Sequence, residues 1–220
     1  MEILFFKYAH IIAMVYWLGG DLGTFFASKQ VINRGLSPQA RQTALKIMLA
    51  CDQGPKIAMP LIFVFGVHLA SLQNVMALPP WGLAAVWLVS LWWLGNVLYL
   101  HHYAGKPLTQ WLAKFDLYFR MVVVLVLLAW SVRHLSDAGS ATANWVIYKL
   151  LVFAALVGCG IGIRIYLRPF VPAFGRMMRE GSSRETDDIM HGALMRCRPL
   201  VWCIWLGLLL NAALGVHLLA

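Results

Sequence analysis

The sequence predicts an all-α polytopic membrane protein, a helical bundle of about six transmembrane helices. Of its 220 residues 61% are hydrophobic and only 12% are charged, and the mean hydropathy is +0.72. A soluble domain cannot bury that much apolar surface. Six apolar segments are also long enough to cross a bilayer, and they lack the alternation of outer-membrane barrel strands. We therefore interpret 1–220 as a single transmembrane domain.

The six apolar segments are separated by short or polar connections. They span 3–28, 55–77, 81–103, 119–137, 145–167 and 199–219. The very short connection at Leu78-Pro79-Pro80 predicts that the second and third helices form an antiparallel hairpin. Residues 37–51 predict an amphipathic surface helix with Ser37 as its N-cap and Pro38 at its first position. Residues 168–198 predict a cytoplasmic loop that contains some helix.

The basic residues predict the orientation of the chain. With the N-terminus outside, only Lys7, Arg133 and Lys149 of the 18 Lys and Arg lie toward the outer face. Cytoplasmic loops of membrane proteins carry an excess of Lys and Arg. We therefore expect a bacterial-type inner membrane protein, surrounded by membrane lipid, with both termini on the periplasmic side. The net charge of +9 then belongs to cytoplasmic loops, and we expect no nucleic-acid partner.

The first apolar segment carries a polar and aromatic stripe. At about 100° per residue, Met14, Trp17 and Asp21 fall within roughly 40° of His10. An ionisable side chain inside a span is costly unless it faces protein, water or a cofactor, which makes it a functional candidate. Asp21 could carry protons toward the cytoplasm, or it could pair with Arg164.

Histidines are concentrated in the outer half of the predicted bundle. His10 and His68 lie at matched depth on sequential helices, as the two axial ligands of haem b would. His134 and His217 lie closer to the outer ends of their helices, where they could ligate a second haem or copper, or be interfacial. Trp17, Phe63 and Phe65 could form the walls of a haem site. Cross-bundle hydrogen bonding by each histidine is the alternative.

Two segments carry a family resemblance. Residues 7–20, KYAHIIAMVYWLGG, resemble the first helix of the HemJ-type protoporphyrinogen oxidase family through His10, Trp17 and Gly19-Gly20. Residues 144–157, NWVIYKLLVFAALV, are similar to the Trp-x-x-x-Lys helix of that family through Trp145 and Lys149. The resemblance implies haem b binding and a functional role for His10 and Lys149. The first helix also resembles the CopD copper-resistance membrane domain.

Together these features predict a haem b-binding redox protein that transfers electrons or acts as an oxidase. A quinone or a porphyrin is the expected small-molecule partner, and Lys149 would pair with a haem propionate or an anionic substrate, assisted by Lys7 or Arg133. One alternative is a copper transporter that binds metal at His10, His68 and His134. Another is a haem-bearing membrane anchor with a redox partner protein docked on a loop. Hydrolase activity is not expected, because no nucleophile triad, phosphate-binding loop or zinc hydrolase motif occurs.

Overall fold

The structure is a computed structural model that describes residues 1–137 and 142–218, which form eight α-helices and no β-strand. In chain order the helices are α1 (Glu2–Val31), α2 (Pro38–Cys51), α3 (Gln53–Leu72), α4 (Pro80–His102), α5 (Pro107–Ser136), α6 (Asn144–Tyr166), α7 (Phe170–Glu180) and α8 (Arg184–Gly215).

Six helical segments of the described chain are long and apolar enough to cross a membrane. They are Glu2–Val31, Pro38–Leu72, Pro80–His102, Pro107–Ser136, Asn144–Glu180 and Arg184–Gly215. Large apolar side chains face outward along them, among them Trp81, Leu125 and Leu206. An apolar outer surface of this extent is suited to lipid and not to water. The all-α bundle is therefore confirmed, and the chain is a multi-pass membrane protein.

Several element boundaries differ from those the sequence predicted. α5 begins at Pro107 rather than near 119, and α8 begins at Arg184 rather than at 199, so Pro199 lies inside it. The segment 168–198, predicted as a loop, is mostly helical because it contains α7 and the first turns of α8. Residue 219, the predicted end of the last span, lies outside the described residues.

A helix, α2, is present where the sequence predicted one at 37–51. The Ser37 hydroxyl accepts a hydrogen bond from the backbone N–H of Ala40, at 3.2 Å, and Pro38 is the first helical residue. A capping side chain satisfies one of the backbone donors left free at a helix start. The Ser-Pro pair thus sets this boundary through local chemistry alone.

The first and last helices bring both chain ends to one end of the bundle. At that end the backbone N–H of Ala143 donates to the carbonyl of Val75, at 2.9 Å, so the α3–α4 and α5–α6 connections meet. We call it the termini end, and we call the opposite end, where α2 and α7 lie, the loop end. α1 packs mainly against α3, and α6 packs between α5 and α8.

Two buried ionic networks link the helices at the loop end. Asp116 of α5 accepts hydrogen bonds from Arg120 (2.9 Å), Arg164 of α6 (2.8 Å) and Asn96 of α4 (3.2 Å). Arg41 of α2 is fully buried, and it donates to the carbonyl of Val31 and to Asp187 of α8. Buried charges need partners of this kind, because desolvation of an unpaired ion is expensive.

Candidate functional site

A cavity of about 350 Å³ lies toward the termini end, between α1, α3, α6 and α8. Its volume falls within the range of small-molecule pockets, about 300–1,000 Å³. Most of the lining side chains are apolar or aromatic, and the polar groups among them are few. The polar and charged lining residues are Lys7, His10, Gln73, Lys149, Asn211 and His217.

His10 forms the polar part of the α1 wall. Its ring lies against Gly66 of α3, where a Cβ atom would come within 2.8 Å of the His10 Cε1 atom. The absence of a side chain at Gly66 therefore makes room for the imidazole. The Nδ1 atom of His10 is buried and has no hydrogen-bond partner within the described residues. A buried imidazole nitrogen without a partner is a candidate ligand for a metal or for a bound group.

Lys149 brings a positive charge to the opposite wall. Its Nζ atom would lie 2.7 Å from a Cβ at Gly215 of α8, and it sits 5.7 Å from the centroid of the Trp145 ring. Lys7 also lines the cavity. Among the described residues, no Asp or Glu lines the cavity or lies within 4.0 Å of either ammonium group. This charge distribution favours a ligand that carries negative charge and is otherwise apolar.

Aromatic side chains close the cavity toward the loop end. Trp17 is almost fully buried and meets Phe153 edge-on, with ring centroids 6.1 Å apart. Phe63 stacks on the other side of Phe153, at 5.3 Å. The prediction that Trp17 and Phe63 form walls is consistent with this placement, whereas Phe65 does not line this cavity. Sequence reasoning did not identify Phe153.

His68 does not enter the cavity, although the sequence predicted it as the second haem ligand. Its Nδ1 atom accepts a hydrogen bond from the indole of Trp87, at 2.9 Å, and its Nε2 atom lies 3.7 Å from Glu2. The ring also stacks on Phe6, with centroids 4.0 Å apart. Both nitrogens thus face protein groups outside the cavity, and the pairing of His10 with His68 on one haem is not formed here.

His134 and His217, the other two histidines predicted as ligands, do not lie in the same site. His217 lines the cavity and meets the Trp145 ring edge-on, at 5.0 Å. His134 stacks on Trp130 at 3.9 Å, and its Nδ1 lies 2.9 Å from the Trp130 carbonyl, outside the cavity. A copper site made of His10, His68 and His134 is therefore not formed. Within the described ranges, no three His, Cys, Asp or Glu side chains group as a metal site would require.

Asp21 lies beyond Trp17 on the same stripe of α1 and does not line the cavity. The predicted alternative, a pair with Arg164, is wrong because Arg164 binds Asp116 instead. The Oδ2 atom of Asp21 is buried and has no hydrogen-bond partner in the described part of the chain. Its predicted role in proton transfer remains a prediction.

Three further residues shape the site and were not identified from the sequence. Gly66 and Gly215 provide the space beside His10 and Lys149. Asn211 donates to the Lys149 carbonyl at 3.4 Å, while its own carbonyl oxygen is buried without a partner among the described groups. A polar Asn in an apolar span is the one signal that could have pointed to this position.

Comparison with known proteins gives no relative: no family model, no curated protein and no solved structure matches the chain. The resemblance to HemJ-type and CopD-type proteins therefore stays a prediction.

Proposed function

We propose that the protein binds haem b in the cavity between α1, α3, α6 and α8, and that it acts as a membrane redox protein. One observation carries the proposal. The cavity is lined by His10, whose buried Nδ1 atom has no hydrogen-bond partner in the described chain, and by Lys7 and Lys149, which have no acidic partner there. Its remaining walls are largely apolar.

The donor set fits the chemistry of this cofactor. Haem b has an apolar macrocycle, an iron that takes imidazole ligands, and two propionates at one edge. In the proposal His10 binds the iron, Lys149 and Lys7 neutralise the propionates, and Trp17 and Phe63 contact the ring. A bound haem would supply one-electron redox chemistry. The surrounding side chains would position it and exclude water, both of which tune its potential.

His217 replaces His68 as the proposed second axial ligand. His10 and His217 are the two histidines that line the cavity in the described chain. Both nitrogens of His68 face Trp87 and Glu2. The proposal therefore keeps one ligand predicted from the sequence and changes the other.

A quinone or a porphyrin is the proposed small-molecule partner, since a carrier dissolved in the bilayer can reach a site formed between spanning helices. A porphyrin substrate, which the HemJ resemblance implies, would be an alternative occupant of the same cavity, with its carboxylates held by Lys7 and Lys149 in place of the haem propionates. We propose a bacterial-type inner membrane location, with the termini end on the periplasmic side. A soluble redox partner would then dock at the basic loop end.

Absorption spectra of the detergent-purified protein, oxidised and then reduced with dithionite, test the haem proposal. We expect a sharp Soret band and a reduced b-type α-band from protein made in haem-sufficient cells. His10→Ala should lose the bound haem, and His217→Ala should keep haem but change its spin state. His68→Ala and His191→Ala should both retain the wild-type spectrum.

The variants separate the two ligand assignments. Loss of haem in His68→Ala but not in His217→Ala would restore the pairing predicted from the sequence and contradict the cavity assignment. A colourless wild-type protein would rule out haem as the resident cofactor.

A further inference from the structure

Two basic side chains meet one aromatic ring at the loop end, in the groove between α1 and α8. The Lys29 Nζ atom lies 5.0 Å from the centroid of the Phe25 ring, and the Arg198 guanidinium carbon lies 5.6 Å from the same centroid. Trp205 meets Phe25 edge-on, with centroids 5.2 Å apart. One ring from α1 is thus in contact with cations from two helices.

Neither cation has a counter-ion in the described chain. Other basic residues at this end form ion pairs, including Arg34 with Asp188, Arg41 with Asp187 and Arg176 with Glu185. Lys29 and Arg198 have no carboxylate within 4.0 Å among the described residues. Two like charges beside one ring, neither with a carboxylate partner in the described chain, favour binding of an anion.

The surface beside this cation pair is apolar and faces outward. On α8, Trp202 and Leu206 follow Arg198 at intervals of four residues, so they lie along one side of the helix. Their exposed fractions are 53% and 68%, and that of Phe26 on α1 is 59%. Because α1 and α8 are both long and apolar enough to span a membrane, we expect these side chains to face acyl chains.

We propose that Lys29 and Arg198 bind the phosphate of an anionic phospholipid, with its acyl chains lying along Phe26, Trp202 and Leu206. Arginine and lysine both bind phosphate oxygens, and basic pockets between spanning helices recognise anionic headgroups. Cation–π contacts with the Phe25 ring restrict both side chains to the groove between α1 and α8, which lowers the entropic cost of binding. A zwitterionic lipid is disfavoured because its ammonium group meets the same positive potential.

The proposal is independent of the haem site and is tested by lipid binding. Delipidated protein is titrated with cardiolipin, phosphatidylglycerol or phosphatidylcholine in detergent micelles, and bound lipid is counted by native mass spectrometry. We expect cardiolipin and phosphatidylglycerol to bind and phosphatidylcholine not to bind. Lys29→Gln with Arg198→Gln should weaken anionic binding roughly tenfold or more, since each basic group near an anionic surface contributes about fivefold.

Lys46→Gln with Arg196→Gln is the matched control, because it removes the same charge from exposed basic residues at the loop end. It should keep wild-type lipid binding. Equal weakening in both double variants would show a diffuse electrostatic effect and overturn the site, as would equal binding of phosphatidylcholine. Competition by millimolar inorganic phosphate would show an ion site instead of a lipid site. Lys29→Arg with Arg198→Lys preserves the charges and should bind as wild type, which guards against misfolding of the first variant.

Discussion

Gly66 is the residue on which the orientation of His10 depends. A Cβ at this position would lie 2.8 Å from the Cε1 atom and 3.3 Å from the Nδ1 atom of His10. The imidazole would have to move, because real Cβ atoms do not make contacts this short. Overpacking of this kind typically costs about 1–3 kcal/mol. If the whole cost falls on the haem-bound state, it lowers the affinity for haem by about fivefold to 140-fold.

We therefore expect Gly66→Ala to bind haem at least about fivefold more weakly than the wild type, with a changed Soret band. Haem titration followed by absorbance measures both effects. Gly95→Ala is the control, because Gly95 lies in the spanning helix α4 and a Cβ there meets nothing within 4 Å. Identical haem binding in both variants would mean that the His10 ring position is not part of the haem site.

Several residues singled out from the sequence line the cavity, among them His10, Lys149 and His217, because depth along a helix follows directly from residue number. His68 lies outside the cavity because depth does not determine which face of α3 turns toward α1. Gly66 and His68 are about 200° apart on a helix, so only one of them can face His10. The rotation of α3 about its axis is set by the packing of His68 against Phe6 and Trp87. These contacts between helices cannot be predicted from the local sequence.

At the scale of elements, Asp116 holds three helices together. It is almost fully buried, and its carboxylate accepts from Arg120 on its own helix, Arg164 on α6 and Asn96 on α4. Removing one member of a buried ion network leaves the other charges uncompensated, at a cost of about 3–5 kcal/mol. We take the lower end because the Arg164 side chain is 36% exposed.

Asp116→Asn should therefore lower the free energy of unfolding by about 3 kcal/mol, as measured by denaturant titration in mild detergent. Glu185→Gln breaks the exposed pair with Arg176 and should cost less than about 1 kcal/mol. A loss in Asp116→Asn no larger than that in Glu185→Gln would show that the network does not stabilise the bundle.

The same network explains why the start of α5 was predicted too late. Asp116 lies just before the predicted segment 119–137, whose second residue is Arg120, and charges near a span normally mark its end. In the folded chain these two side chains pair one turn apart within the helix. Their polarity is thereby neutralised, and α5 continues back to Pro107. Long-range pairing of this kind cannot be read from local hydropathy.

At the scale of the whole molecule, the orientation in the membrane is the prediction with the widest consequence. The described basic residues at the loop end greatly outnumber those at the termini end, where Lys7, Arg133 and Lys149 lie. The positive-inside rule then predicts that the loop end lies in the cytoplasm. Single cysteines at Ala77 in the α3–α4 connection and at Gln39 of α2 would report this, because both positions are exposed. In a background with the four native cysteines changed to serine, a membrane-impermeant maleimide added to intact spheroplasts should label Ala77→Cys and not Gln39→Cys. Lysis of the spheroplasts should make both positions accessible.

Labelling of Gln39→Cys alone before lysis would show that the topology is the inverse of the predicted one. The proposed haem site would then lie in the cytoplasmic half, and the anionic lipid site would lie in the outer leaflet.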